Sequence, residues 1–77
     1  MLLHENIRIL RAINGFTQKY VAGKLKISQT FYSRIERHEL DIPASLLQKI
    51  AEFYDLPVQN LLYNDLSKQA KISTKKS

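Results

Sequence analysis

Four polar side chains between residues 29 and 34 carry the hydrogen-bonding groups that can read the edges of nucleic-acid bases. They are Gln29, Thr30, Ser33 and Arg34. A glutamine amide can pair with adenine, a guanidinium can contact guanine through two N–H groups, and a hydroxyl can bond to either base. An ordinary polar surface is the alternative, so the meaning of this pattern depends on the element that carries the residues.

Phe31 lies within the same stretch and has two interpretations that the sequence leaves open. Its ring can contact thymine methyl groups. Alternatively, it can pack against the loop that follows the helix predicted to contain it. We include it among the candidate base contacts. Polar and basic residues around the stretch suit contacts with phosphate groups. They are Gln18, Lys19, Lys26, Ser28, Arg37 and His38.

Two short helices, rather than one long helix, account for the apolar pattern of residues 17–36. Val21 and Leu25 have helical spacing, whereas Tyr32 and Ile35 begin a second stripe in a different phase. The segment is therefore predicted to be a helix-turn-helix. This geometry presents its second helix to the major groove of DNA.

Helix start and stop signals divide the chain into five predicted helices. Thr17 and Ser28 stand at N-cap positions. Gly15 tolerates the left-handed conformation that ends a helix, and Pro43 suits a first helical turn. The predicted helices span about residues 3–13, 18–25, 28–37, 43–54 and 58–63. Residues 1–65 are predicted to form one all-α domain, and residues 66–77 a basic tail that we expect to be disordered.

The composition argues against several classes of protein. With 77 residues and no cysteine, the chain is predicted to be one domain without disulfides. Because we find neither a long apolar run nor a signal peptide, we expect a cytoplasmic protein without a membrane partner. His4 and His38 lie on different predicted elements and are interpreted as surface residues. No catalytic site, metal, cofactor or small-molecule ligand is therefore predicted.

Charge is distributed unevenly along the chain, whose net charge is +5. Residues 8–37 contain seven basic side chains and one acid, whereas residues 38–65 contain one lysine and five acids. Residues 66–77 add four lysines. A basic half that carries the predicted helix-turn-helix, with an acidic half behind it, suits a module that orients on a polyanion.

Five motifs in sequence order resemble the Cro and phage-repressor family of helix-turn-helix proteins. They are Ile7, Leu10 and Arg11 in the first helix, the run T-Q-x-x-V-A-x-x-L-x-I-S from Thr17, the run S-R-I-E ending at Glu36, the run L-L-Q-K-I-A-x-x-Y-x-L from Leu46, and Val58-x-x-Leu61-Leu62. The resemblance covers about residues 3–65. The chain departs from the family pattern at Lys26 and His38, where glycine is usual, and at Tyr32, where isoleucine or valine is usual.

This resemblance implies a compact all-α fold of the lambda-repressor type, with five helices and the helix-turn-helix at helices 2 and 3. It also implies that Arg11 of the first helix pairs with Glu36 at the end of the third. Since the turn residue of this family has a positive φ, the resemblance further implies a left-handed conformation at Lys26.

The implied function is that of a sequence-specific regulator that binds double-stranded DNA, with repression of a pseudo-palindromic operator as the expected role. One recognition helix reads too few base pairs for genomic specificity, so a homodimer is expected. The predicted dimer surface is the apolar part of the fifth helix, made by Val58, Leu61, Leu62 and Tyr63. A bacterial or phage-encoded protein is implied. The rival hypothesis is an antitoxin-like or accessory module that uses the same fold to bind another protein.

Overall fold

The computed structural model describes residues 2–66, and this part of the chain contains five helices and no strand. The helices are α1 (Leu3–Ile13), α2 (Gln18–Leu25), α3 (Gln29–Glu36), α4 (Ala44–Phe53) and α5 (Val58–Tyr63). The predicted fold class and the helix-turn-helix at α2 and α3 are confirmed. None of these helices combines the length and apolar character needed to cross a bilayer. The prediction of a disordered tail at residues 67–77 lies outside the described residues.

Short hydroxyl side chains begin both helices of the helix-turn-helix. The Thr17 hydroxyl oxygen accepts a hydrogen bond of 3.0 Å from the Tyr20 N–H. The Ser28 hydroxyl oxygen accepts one of 3.1 Å from the Phe31 N–H. Each bond satisfies an N–H group that the first turn of a helix leaves without a partner. Both predicted N-caps are confirmed, whereas Pro43 immediately precedes α4 instead of lying in its first turn.

Left-handed residues lie at or just after the ends of the first four helices. They are Gly15 with φ 70°, Lys26 with φ 62°, His38 with φ 63° and Asp55 with φ 56°. Such residues end helices by turning the chain. At Lys26 and His38, where the family usually has glycine, the chain places side-chain-bearing residues in a conformation that costs roughly 1–2 kcal/mol.

We expect Lys26→Gly to raise the free energy of unfolding by about 1 kcal/mol, because glycine adopts this φ without the clash of a Cβ atom. Urea unfolding monitored by circular dichroism would measure the change. Lys24→Gly removes the same charge from an exposed position inside α2. It should instead lower the free energy of unfolding by about 1 kcal/mol. Equal effects of the two variants would show that backbone strain at Lys26 is negligible.

The apolar faces of the helices enclose one core. Its largest fully buried apolar side chains are Tyr32, Ile7, Ile35, Ile50, Leu61, Leu66 and Val21. Tyr32 is thus accommodated in the core even though smaller residues are usual there. The hydroxyls of Tyr32 and Tyr54 are buried and have no hydrogen bond of normal geometry within the described residues. Desolvation raises the pKa of Tyr54 to about 12 and that of Tyr32 still further, so both hydroxyls stay neutral.

Asn6 lies on the buried face of α1 and connects this helix to the end of the domain. Its side-chain amide donates hydrogen bonds to the carbonyl oxygens of Leu61, at 2.8 Å, and Asn64, at 2.7 Å. Its Oδ1 accepts a hydrogen bond of 3.2 Å from the Leu66 N–H. The side chain thereby satisfies three backbone groups where the chain leaves α5.

Two predictions for the end of the domain are wrong. Leu66, which is predicted to lie in the tail, is 1% exposed and belongs to the core, and its N–H donates to the Asn6 side chain of α1. The domain therefore extends at least to residue 66. Leu61, which is predicted to lie at the dimer surface, is 0% exposed because α5 packs against α1 and α4. Val58 and Leu62 are half-buried, and Tyr63 is 71% exposed.

Candidate nucleic-acid interface

Glu36 at the end of α3 connects this helix to α1 and α2. Its carboxylate accepts hydrogen bonds from Arg11 Nε at 2.7 Å and Arg11 Nη2 at 3.0 Å. It also accepts one from Gln18 Nε2 at 3.1 Å. The Glu36 side chain is 3% exposed and the Arg11 side chain 21% exposed. The structure therefore contains the Arg11–Glu36 ion pair that the sequence analysis predicts, and it adds Gln18 to the pair.

The surroundings of Glu36 favour its ionised form. Burial alone would raise the pKa of the carboxyl, but hydrogen bonds from Arg11 and Gln18 reverse this effect and leave the pKa below its usual value. The hydrogen bond to Glu36 raises the pKa of Arg11. Both groups are consequently charged at neutral pH. Their attraction holds α3 against α1, and the same carboxylate fixes the amide of Gln18 at the start of α2.

A groove runs between the start of α2 and the exposed face of α3. The residues that line it are Gln18, Gln29, Thr30, Ser33 and Arg37. Three of these are predicted base contacts and two are predicted phosphate contacts. The fold thus brings amide, hydroxyl and guanidinium groups from two helices onto one open surface. Such a surface supplies both donors and acceptors for the edges of bases.

Two arginines at this surface share a carboxylate that the sequence analysis does not include. Glu39 accepts hydrogen bonds from Arg37 Nε at 3.0 Å and Arg37 Nη2 at 3.3 Å, and from Arg34 Nε at 3.4 Å. Arg37 Nη1 also donates to Ser33 Oγ at 2.7 Å. Arg34, Arg37 and Glu39 are all exposed. An acid therefore lies among the predicted base and phosphate contacts.

Phe31 is partly buried and packs against the core. It lines a second groove, which includes Ile27 from the turn between α2 and α3, and Pro43 and Leu46 at the start of α4. This packing favours the alternative in which Phe31 covers the segment after α3, and it gives no support to a base contact. Lys26, which is exposed, lines the same second groove.

The remaining predicted phosphate contacts on α2 and before α3 keep their charged or polar groups accessible. Lys19 is exposed, and so is its neighbour Tyr20, which is 45% exposed. The Tyr20 ring lies 5.5 Å from Lys24 Nζ, within the range of a cation–π interaction, so a second lysine of α2 lies beside it. Ser28 is exposed, and because its oxygen accepts the N-cap bond, its hydroxyl proton stays available to a phosphate.

His4 and His38 contact each other, although both are predicted to be surface residues on different elements. Their ring centres lie 4.3 Å apart with the planes tilted by 36°. His4 is partly buried and its Nδ1–H donates a hydrogen bond of 2.7 Å to the carbonyl oxygen of Ile35 in α3. The contact forms because the left-handed conformation of His38 changes the direction of the chain after α3. His38 remains exposed.

A comparison with models of known protein families gives a match to the family described as Helix-turn-helix over residues 7–61. The matched region extends from α1 into α5 and covers most of the chain. The chain belongs to this family. Its members of the Cro and phage-repressor type are DNA-binding regulators, as the motifs of the sequence imply. Comparisons with curated proteins and with solved structures found no match.

The two grooves lie at different places in the helix-turn-helix motif. In this motif the first helix lies across the DNA backbone, and the second helix enters the major groove. Here the first helix is α2 and the second is α3, and the groove lined by Gln18 and Gln29 lies between them. The groove beside Phe31 lies at the junction of the turn with α4.

Two residues important to the geometry were missed by the sequence analysis. Asn6 interrupts the apolar stripe formed by Leu3, Ile7 and Leu10, and a polar residue in such a stripe is a recognisable sign of a buried hydrogen-bonding group. Glu39 follows the basic stretch directly, but its role depends on the turn at the end of α3. Sequence spacing alone gives no indication that it reaches both arginines.

Proposed function

We propose that this helix-turn-helix protein is a transcriptional repressor that binds a pseudo-palindromic DNA operator as a homodimer. The observation that carries the proposal is the groove between α2 and α3, in which five polar side chains of suitable chemistry meet. Repression follows from occlusion, because a protein seated in the major groove of a promoter excludes other proteins. The proposed setting is the cytoplasm of a bacterium, with the gene carried by the chromosome or by a phage.

In this proposal the exposed face of α3 reads bases. Gln29 and Thr30 are the first two residues of the helix, and both are exposed. Ser33 lies one turn further along and lines the same groove. Arg34 is exposed and suits a guanine, since a guanidinium can donate to O6 and N7 together. These four side chains are the proposed determinants of sequence preference.

The start of α2 is proposed to bind a phosphate group. One proton of the Gln18 amide nitrogen is used by Glu36, so the second is available to a phosphate oxygen. The backbone N–H groups in the first helical turn add positive potential at the same point. Further proposed phosphate contacts are Lys19, Lys26, Ser28, Arg37 and His38.

The proposed dimer surface is the exposed part of α5. Tyr63 presents a large aromatic side chain to solvent, and Val58 and Leu62 are only partly covered by their own domain. Apolar side chains left exposed together favour an interface. Two copies joined there would each supply one α3 to a half-site, which explains how short recognition helices achieve specificity.

Selection of bound sequences from random duplex DNA tests this function directly. We expect enriched sequences to contain two inverted half-sites whose centres lie about 10 base pairs apart. Arg34→Ala should reduce the preference for the favoured base by about 1–3 kcal/mol at one or two positions in each half-site. The base preferences at the other positions should stay unchanged. A uniform loss across all sequences would remove Arg34 from the reading surface. Failure to enrich any sequence would contradict sequence-specific binding and favour the protein-binding alternative.

Sedimentation of Tyr63→Glu tests the dimer without disturbing the core. We expect the wild type to sediment as a dimer on operator DNA, and the variant to be a folded monomer that binds a full operator hardly better than a single half-site. Gln48→Glu is the matched control, because it adds the same charge at an exposed position of α4. A wild type that stays monomeric, both free and on operator DNA, would refute the dimer.

A further inference from the structure

We infer that Glu39 determines how selectively the protein binds DNA, by controlling the two arginines at the recognition surface. The inference rests on the proposed function, because it concerns how the same surface reads DNA. Glu39 is the hub of an exposed network that joins Ser33, Arg34 and Arg37. Three residues that are proposed to contact DNA are therefore linked by the Glu39 carboxylate, whose negative charge is repelled by the phosphates of DNA.

Arg34 is held by Glu39 in a way that leaves its terminal nitrogens accessible. Its Nε lies 3.4 Å from Glu39 Oε1, while Nη1 and Nη2 have no hydrogen-bond partner among residues 2–66. Two adjacent N–H donors are the groups that a guanine O6 and N7 require. An exposed contact of this length is weak and adjusts easily. This weak contact favours a position of Arg34 in which the donors that would recognise a base remain free.

Arg37 is held much more completely than Arg34. Its Nε and Nη2 donate to the Glu39 carboxylate, at 3.0 and 3.3 Å, and its Nη1 donates to Ser33 Oγ at 2.7 Å. Three of its five N–H donors are therefore engaged within the protein. Arg37 keeps only two donors for a phosphate in this arrangement. The Ser33 oxygen accepts from Arg37, so its hydroxyl proton is directed away from the arginine and can reach a base.

The carboxylate has opposite effects on specific and nonspecific binding. Phosphate groups are present in every duplex, so both the repulsion by Glu39 and the engagement of three Arg37 donors lower affinity for all sequences. A guanine at the matching position recovers part of this loss through the free donors of Arg34. The ratio of specific to nonspecific affinity therefore rises. That ratio, rather than the affinity itself, determines whether a regulator finds its site.

Glu39→Gln keeps the size of the side chain and removes its charge, and Asp41→Asn is the matched control. Asp41 lies in the same segment and is exposed, and no salt bridge to it is found within the described residues. Fluorescence anisotropy would give dissociation constants for the selected operator, for the same duplex with the guanine read by Arg34 replaced, and for an unrelated duplex. Each would be measured from about 50 to 200 mM salt.

For Glu39→Gln we expect about tenfold tighter binding to the unrelated duplex and a salt slope steeper by about one. Discrimination between the operator and its guanine-substituted form should fall about threefold to tenfold. Asp41→Asn should leave this discrimination at the wild-type value. Both variants should melt like the wild type, because both side chains are exposed.

Two outcomes would overturn the role of Glu39 and leave the proposed function standing, provided that the wild type binds its operator. One is unchanged discrimination in Glu39→Gln, and the other is an equal loss of discrimination in Asp41→Asn, which would reduce the effect to general charge. A wild type that binds no duplex at any salt concentration would instead overturn the proposed function, and this inference with it.

Discussion

Glu36→Gln should lower the free energy of unfolding by about 3 kcal/mol, a large share of the stability of a small domain. The neutral amide leaves the charge of Arg11 without its partner in a site where the carboxylate is 3% exposed. Gln18 also donates to this carboxylate, and an amide offers Gln18 and Arg11 one accepting oxygen in place of two. Urea unfolding of the wild type and the variant would measure the loss.

A double-mutant cycle separates the ion pair from other effects of the substitution. Arg11→Met combined with Glu36→Gln should cost less than the sum of the single changes, by about 1 kcal/mol or more, because neither unpaired charge remains. Simple additivity would contradict the coupling. Glu39→Gln is the surface control. Its exposed carboxylate should contribute almost nothing to the free energy of unfolding.

Acid should reduce the difference between the wild type and Glu36→Gln. The folded pKa of Glu36 lies below its ordinary value, so ionisation contributes stability that is complete above the unfolded pKa of about 4.3. This contribution is lost as the pH falls through the folded pKa. The two unfolding free energies should thus converge below about pH 4, while they stay well separated at neutral pH. A difference that is constant across this range would show that folding does not shift the pKa of Glu36.

Asn6→Leu should cost about 3 kcal/mol, because an apolar side chain leaves three backbone groups without their hydrogen-bond partner, and two of these bonds are buried. These groups are the carbonyl oxygens of Leu61 and Asn64 and the N–H of Leu66. Hydrogen exchange should show faster opening at Leu66 than in the core of α3, since the loss is concentrated where the chain leaves α5. Urea unfolding would give the total cost.

Asn14→Ala provides the control for this substitution on the same helix. The Asn14 side chain also donates to a backbone carbonyl, that of Leu10 at 2.7 Å, but Asn14 is exposed and water can replace it. We expect only a small change in the free energy of unfolding. If Asn6→Leu costs no more than this control, the Asn6 hydrogen bonds do not hold the end of the domain.

Local signals in the sequence were sufficient for the helices and for the helix-turn-helix. Thr17 and Ser28 act over three residues along the chain, and a capping bond of this kind needs no information from the rest of the fold. The family resemblance supplied the Arg11–Glu36 pair and the positive φ at Lys26. The donors and acceptors that line the groove could also be predicted, because the hydrogen-bonding groups of a side chain follow from the residue type.

Which apolar residues are covered, and which charges meet, was decided by tertiary structure. The pattern of α5 does not distinguish Leu61, which other helices cover completely, from Tyr63, which is left in solvent. Leu66 is buried because folding brings it into the core, where its N–H donates to Asn6, sixty positions earlier in the chain. Glu39 reaches Arg34 and Arg37 because the chain turns at His38, which has a φ of 63°. The helices and the chemistry of the groove between α2 and α3 have local causes, so they can be predicted from the sequence. Burial and ion pairing depend on distances between segments, and only the folded chain sets these distances.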